Sequence, residues 1–227
     1  MLKHVLAPIH PEGWRFIAIF AVVTLLLFWL WRPLGWLGVL ATLWCVYFFR
    51  DPWRVSPQQE GLVLAPADGL ILSVEEAAPP AELGFGATPM RRIAIFMSVL
   101  DVHINRSPMA GHVAKLAYRK GKFLNASLDK ASTDNERMAI RLSTPSGDIA
   151  VTQIAGLIAR RIVSILREGE EIIAGQRIGL IRFGSRSEVF VPLSWAVMAV
   201  AGQRALGGET VLADATRQAA PLRGVEH

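Results

Sequence analysis

Two apolar runs separated by a turn signal occupy most of the first 54 residues and restrict what this part of the chain can form. The runs cover residues 16–31 and 36–49, and Arg-Pro-Leu-Gly lies between them. As helices of about 14–16 residues they would be roughly 21–24 Å long, so flanking aromatic residues must extend them to both edges of a ~30 Å hydrocarbon core. The pattern predicts a helical membrane hairpin at residues 1–54.

The distribution of basic residues around the hairpin predicts its orientation. Lys3, Arg15, Arg50 and Arg54 lie at its open end, whereas only Arg32 lies at the turn. Basic residues favour the cytoplasmic side of a membrane, so both ends are expected in the cytoplasm, with the chain on the inner membrane. A cleaved signal peptide and a buried soluble hairpin are the alternatives. Trp-Arg-Pro after the first run does not resemble a small-residue cleavage site.

Composition excludes several classes of site. Of the 227 residues 52% are hydrophobic, the net charge is +5, and the single cysteine, Cys45, lies within an apolar run. One cysteine permits neither an intrachain disulfide nor a multi-cysteine metal site, and the five histidines are scattered, so no metal is expected. The basic charge suits an anionic membrane or nucleic acid, and the apolar N-terminus favours the membrane over nucleic acid.

Residues 55–227 show the pattern of a mainly β domain. Short β-branched runs alternate with glycine, proline and aspartate turn signals, which is typical of a β-sandwich or a partly closed barrel. Residues 157–166 fit either a helix or a further strand. The predicted strands are residues 62–64, 69–74, 92–97, 111–118, 138–143, 149–154, 178–183 and 188–191.

A Gly-Ser pair interrupts the strand pattern that extends from residue 178 to residue 191. One interpretation is a kinked strand in which Ser185 faces solvent, because glycine inside a strand often marks a bulge. The other is chemical: a serine hydroxyl beside a strained glycine carbonyl can attack it when a base is near. The product is an ester, which can eliminate to leave a chain that begins with a pyruvoyl group.

Two further segments contain residue types that can move protons. Asp68 lies in Pro-Ala-Asp-Gly, which is either an ordinary turn or a functional site. His103 lies in residues 101–108, where an apolar run ends in a polar cluster, and a histidine can transfer protons near neutral pH. Asp101 or Asp68 is expected to orient the imidazole ring if His103 is functional; otherwise it is a structural histidine.

Two polar segments fit either a solvated surface or a binding role. Residues 118–123 form a basic loop that contains Lys120 and Lys122, which suits an exposed charge run, a phosphate contact or docking on anionic lipid. Residues 135–137, Asn-Glu-Arg, fit a surface turn or a polar network at a cleft.

Taken together, these motifs resemble the phosphatidylserine decarboxylase family in its short bacterial and archaeal form. The resemblance covers most of residues 48–213. Five motifs in the same order are far more specific than any one of them. The motifs are Phe-Arg-Asp-Pro at 49–52, Pro-Ala-Asp-Gly at 66–69, Asp-Val-His-Ile-Asn-Arg-Ser-Pro at 101–108, Asn-Glu-Arg at 135–137 and Phe-Gly-Ser-Arg at 183–186.

The resemblance implies a proenzyme that cleaves itself between Gly184 and Ser185. Residues 1–184 would form a β chain and residues 185–227 an α chain that stays associated with it. Ser185 would become an N-terminal pyruvoyl group, the enzyme's cofactor, so neither pyridoxal phosphate nor a metal is needed. The resemblance also implies a β-sandwich or barrel domain similar to lipoyl-type and biotin carrier domains.

The family's catalytic residues carry over with one departure. The matching catalytic positions are Ser185, His103 and Asp68. Longer relatives have two histidines three residues apart, whereas here the second position is Arg106. His103 would therefore serve cleavage, decarboxylation or both, which leaves the cleavage base open. Arg106, Lys120 and Lys122 are candidates for holding the lipid phosphate.

The implied activity is the conversion of phosphatidylserine in the membrane to phosphatidylethanolamine and CO2, a lyase step of phospholipid biosynthesis. Whether the enzyme is a homo-oligomer is left open. One alternative is a pyruvoyl decarboxylase of a soluble amino acid, which the apolar hairpin disfavours. Another is a membrane-tethered, lipoyl-like binding module without catalysis. A carrier of that kind needs a lysine at a hairpin tip, and no lysine lies between Lys130 and His227.

Overall fold

The computed structural model describes residues 7–121, 134–156, 161–182 and 184–220, together with residues 222 and 224. The chain forms two compact units, residues 1–53 and residues 54–227. The first unit is helical and the second is built from β-strands.

Two antiparallel helices form most of the first unit. Helix α1 (Trp14–Leu30) follows a 3₁₀ turn (Pro11–Gly13), and helix α2 (Arg32–Phe48) begins directly after Trp31. The turn is therefore shorter than the sequence suggested, because Arg-Pro-Leu-Gly forms the first turn of α2. Proline is tolerated there since the N–H groups of the first helical turn have no intrahelical partner.

Small residues allow the two helices to pack closely. The hydroxyl oxygens of Thr24 and Thr42 lie 3.0 Å apart, and a side chain at Gly38 would clash with Thr24. The helical stretch at residues 11–30 contains an 18-residue window with a mean hydropathy of 2.1, and only this stretch of the described residues is helical, long and apolar enough to cross a membrane. Outward-facing side chains such as Trp29, 89% exposed, suit a lipid environment.

The described residues of the second unit form three antiparallel sheets. The largest has eight strands in the order β13-β2-β3-β11-β7-β6-β5-β9 and curls into a half-barrel, and the two smaller sheets are β1-β14-β12 and β4-β10-β8. The strands are β1 (Leu62–Leu64), β2 (Gly69–Ala77), β3 (Met90–Met97), β4 (Ile104–Arg106), β5 (Gly111–Arg119), β6 (Arg137–Thr144), β7 (Gly147–Ala155), β8 (Ile162–Ser164), β9 (Glu171–Ile172), β10 (Arg177–Ile181), β11 (Ser185–Val191), β12 (Ala196–Val197), β13 (Arg204–Ala205) and β14 (Val211–Asp214).

One apolar core joins the three sheets. Alternate residues of the central strands point into it, including Ile95 of β3, Val151 of β7 and Val189 of β11. Ile178 of β10 and Leu212 of β14 enter the same core from the smaller sheets. The mainly β prediction is therefore confirmed, whereas the likeness to lipoyl-type domains stays a prediction.

The segment with the Gly-Ser pair is two strands, not one kinked strand. Strand β10 ends at Ile181 and pairs with β4 and β8, whereas β11 begins at Ser185 and pairs with β3 and β7. Gly184 therefore lies where the chain passes from one sheet to another. The interpretation with a solvent-facing serine is wrong, because Ser185 is completely buried.

Strands β8 and β11 differ from the sequence prediction in their extent. The ambiguous segment at residues 157–166 contains a strand, β8, and residues 157–160 lie outside the described part of the chain. The strand predicted at 188–191 begins three residues earlier, at Ser185. The early start places the serine inside the ladder of the large sheet.

Candidate active site

Ser185 lies at the centre of the large sheet, as the first residue of β11. It is paired with Met97 of β3 on one side and with Ala155 of β7 on the other. Its hydroxyl donates to the sulfur of Met97 at 3.6 Å. Because a thioether is a weak acceptor, little is lost when this hydroxyl rotates toward a better partner.

Three backbone features of Gly184 bear on nucleophilic attack at the peptide bond between Gly184 and Ser185. Its φ of +74° lies in the left-handed region, which favours glycine. Its carbonyl oxygen accepts a hydrogen bond from the N–H of Gly156 at 3.1 Å, and its own N–H donates to Nε2 of His103 at 3.1 Å. A backbone N–H on a carbonyl stabilises the negative charge that builds on the oxygen during nucleophilic attack.

The hydrogen bonds of His103 define its tautomer. Nε2 accepts from the Gly184 N–H, so it has no proton, and Nδ1 lies 3.0 Å from the carbonyl oxygen of Asp101, which can only accept. The ring is therefore neutral with its proton on Nδ1. His103 is 1% exposed, and its basic nitrogen contacts the N–H of Gly184, the residue before Ser185. The contact described for Nδ1 comes from the backbone carbonyl of Asp101, and orientation of the ring by a carboxylate stays a prediction.

Replacing Gly184 with alanine tests the importance of its backbone conformation. An added Cβ would meet nothing closer than Val99 at 3.8 Å, so the substitution is sterically open and its cost comes from φ. A left-handed alanine costs about 1–2 kcal/mol, and we expect Gly184→Ala to cleave about tenfold more slowly. The rate is measured from a timed denaturing gel. Gly86→Ala, also at positive φ but in an exposed turn, is the control.

Asp68 lies in the same unit but makes different contacts. Its carboxylate accepts hydrogen bonds from Arg54 at 2.5 Å and from the N–H of Gly207 at 2.7 Å. Asp68 directly precedes β2. Strand β3 lies between β2 and β11, so the β2 and β11 backbones are roughly 10 Å apart. Its part in catalysis stays a prediction.

The segment of residues 135–137 is a buried polar network. Asn135 donates to the carbonyl oxygen of Ala155, the residue opposite Ser185, at 2.8 Å. Glu136 accepts from the N–H of Ile162 at 3.3 Å. Partial desolvation and the nearby Glu136 carboxylate raise the pKa of the half-exposed Tyr118. These contacts hold the end of β7 beside the serine.

The candidate phosphate ligands, Arg106, Lys120 and Lys122, lie in different parts of the chain. Arg106 is buried, donates to the carbonyl oxygen of Gly175 at 2.9 Å, and lines an open cleft of about 470 Å³ with Arg54 and Arg177. Lys120 is exposed and follows β5, which lies three strands from β11, or about 14 Å. Lys122 lies outside the described residues.

Two buried amides beside Ser185 were not identified from the sequence. Asn105 donates to the sulfur of Met97 at 3.6 Å, and Gln153 donates to the side-chain oxygen of Asn105 at 2.8 Å. Both amides are completely buried. Strand alternation was the available signal, because Asn105 points to one side of β4 and its neighbours Ile104 and Arg106 point to the other.

The arrangement favours attack of a serine on its own chain. A buried hydroxyl, a polarised carbonyl and a neutral imidazole lie together at residues 184 and 185. Among the described residues there is no group of three or more histidine, cysteine, aspartate or glutamate side chains suited to a metal. The site is thus of the class in which a serine within the chain is the nucleophile.

Comparison with known proteins identifies the family. The family model described as phosphatidylserine decarboxylase matches residues 41–213. A phosphatidylserine decarboxylase proenzyme of Cereibacter sphaeroides is 55% identical over 225 residues, 99% of this chain and 97% of that protein. One of Nitrobacter winogradskyi is 56% identical over 210 residues, 92% and 85% of the two chains. The chain belongs to the phosphatidylserine decarboxylase family.

Proposed function

We propose that this chain is a phosphatidylserine decarboxylase proenzyme that cleaves itself between Gly184 and Ser185 and then releases CO2 from phosphatidylserine. The observation that carries the proposal is the geometry of the Gly184–Ser185 peptide. Its carbonyl oxygen is bound by the Gly156 N–H, and the basic nitrogen of His103 lies 3.1 Å from the Gly184 nitrogen.

Maturation begins with the hydroxyl of Ser185. It rotates away from Met97, transfers its proton to Nε2 of His103 and attacks the Gly184 carbonyl carbon, while the Gly156 N–H stabilises the oxyanion. The proton then passes to the Ser185 nitrogen, and the C–N bond breaks to give an ester. Loss of the Ser185 α-proton expels the Gly184 carboxylate. Addition of one water releases ammonia and leaves the pyruvoyl ketone. Asp68 is the second candidate to supply the base or to orient it.

The residues present fit a pyruvoyl group at position 185. The phosphatidylserine decarboxylase family is generally pyruvoyl-dependent. The ketone supplies an electron sink for the electron pair released as CO2 departs. The protein excludes water from the site, since Ser185, Asn105 and Gln153 are fully buried. His103 would deliver the proton that replaces the carboxylate.

The strand order supports continued association of the two chains after cleavage. Strand β11 pairs with β3 and β7, which both belong to the larger chain. Strands β13 and β14 add pairs with β2 and β1. Breaking one peptide bond at the start of β11 leaves these ladders intact.

The membrane location and the lipid phosphate site belong to the same proposal. A diacyl lipid stays in the bilayer, and the apolar stretch at residues 11–30 would keep the enzyme on the cytoplasmic face of the inner membrane. The arginine-lined cleft, with Arg54, Arg106 and Arg177, has the charge to hold the lipid phosphate. Lys120 and Lys122 would contact neighbouring anionic lipid at the rim.

A substrate comparison tests the function. Purified enzyme is given serine labelled at its carboxyl carbon, either free or as phosphatidylserine in detergent micelles. We expect labelled CO2 only from the lipid. Release from free serine would indicate a soluble amino acid decarboxylase, and no release from either, with an uncut chain, would favour a non-catalytic module.

A further inference from the structure

A chain of weak contacts connects two buried amides to Ser185. The hydroxyl of Ser185 and the side-chain nitrogen of Asn105 both donate to the Met97 sulfur, each at 3.6 Å. Gln153 then donates to Asn105 at 2.8 Å. In the β7–β11 ladder Gln153 is opposite Ser187 and Ala155 is opposite Ser185, so Gln153 is the diagonal neighbour of Ser185 on the same face.

The sulfur determines how both amides are oriented. A thioether can accept a hydrogen bond but cannot donate one, so Asn105 must turn its NH2 toward Met97 and its oxygen toward Gln153. Gln153 must in turn present its NH2 to Asn105. This leaves Oε1 of Gln153, which among the described residues is a buried oxygen with no hydrogen-bond partner.

A buried acceptor without a partner is unfavourable, and such groups in native proteins often have a functional role. Here the cost is incurred beside the reactive residue, on a side chain that is completely buried. An apolar residue of the same size would avoid it. The oxygen is therefore placed to meet a donor that arrives with the substrate.

We propose that Gln153 binds the substrate's amino group through Oε1 and that Asn105 is the positioning residue that aims it. This inference rests on the proposed function, in which a primary amine must approach the carbon derived from Ser185. The amine is the donor of the lipid headgroup, whereas its carboxylate and phosphate can only accept at neutral pH. Gln153 thereby selects a primary amine at the reacting carbon.

The test replaces the amide pair with apolar residues of similar size, Asn105→Leu together with Gln153→Met. Removing both partners of a buried hydrogen bond is close to neutral for stability, so we expect an unchanged or higher Tm and complete self-cleavage. We expect kcat/KM for phosphatidylserine to fall about 10–100-fold, chiefly through KM, because a hydrogen bond to a charged amine is lost.

Ser187→Ala is the matched control. It removes a buried hydroxyl from the same strand face, whose partner is the carbonyl oxygen of Thr152 at 3.0 Å, and should leave kcat/KM within about threefold of wild type. A double variant that is cleaved and stable with wild-type kcat/KM would overturn the assignment. So would a folded double variant that fails to cleave, since the pair would then act in maturation.

Gln153→Met alone gives an arm that does not depend on the double variant. It removes the acceptor oxygen Oε1, so KM should rise about tenfold, and a folded, fully cleaved Gln153→Met with wild-type KM would contradict the proposal. Wild-type enzyme that releases no CO2 from phosphatidylserine would refute the proposed function itself. Active wild type with unaffected variants refutes only the role of Gln153.

Discussion

Ser185→Ala is expected to remain a single chain and to release no CO2 above a blank without enzyme. Alanine has no oxygen to attack the Gly184 carbonyl, so neither the ester nor the ketone derived from it can form. The folded state should be unaffected, because the only hydrogen bond described for this hydroxyl is the weak one to Met97. A denaturing gel and a CO2 assay on the same preparation measure both effects.

Ser187→Ala serves as the control for this experiment too. Ser187 is equally buried, two residues along the same strand and on the same face. We expect two chains and wild-type CO2 release from it. Activity that survives in Ser185→Ala would refute the assignment of the cofactor, whatever the gel shows.

His103→Gln should slow self-cleavage by roughly 10²–10⁴-fold, the usual contribution of a general base. Glutamine can still contact the Gly184 N–H through its oxygen but cannot take up the serine proton at neutral pH. The loss should therefore be chemical and not structural. The measurement is the fraction of cut chain against time after synthesis in a cell-free system.

His112→Gln is the matched control for the histidine. His112 lies on β5, is partly exposed and has Glu171 as its neighbour. Cleavage at the wild-type rate is expected there. If His103→Gln also cleaved at that rate, the base would have to be another group, with Asp68 the next candidate. Cleavage lost in His103→Gln but restored by added imidazole would strengthen the assignment.

The fold was predictable from the sequence where local patterns decide it. Alternation and turn residues predicted the central strands because each has one face in a common core. The pattern did not reveal that β10 and β11 belong to different sheets, since the break occupies only the few residues between Ile181 and Ser185, where Gly184 has a positive φ. Periodicity alone therefore could not decide between a solvent-facing and a buried, reactive Ser185.

The candidate site was predictable only in part. Motifs singled out Gly184, Ser185 and His103, and the structure brings these three together. Gly156, whose N–H binds the scissile carbonyl, could not be identified, because a backbone donor leaves no trace in side-chain chemistry. Gln153 was missed for a related reason. A single amide in an apolar strand can be assigned a role only when its contact with Asn105 is known.

The most direct test of the central claim is the intact mass of the small chain in active enzyme. The account predicts a fragment of residues 185–227 with a blocked N-terminus, lighter by one ammonia than the same fragment beginning with serine. An active preparation in which residues 184 and 185 are still joined, or in which the fragment begins with an unmodified serine, would contradict it.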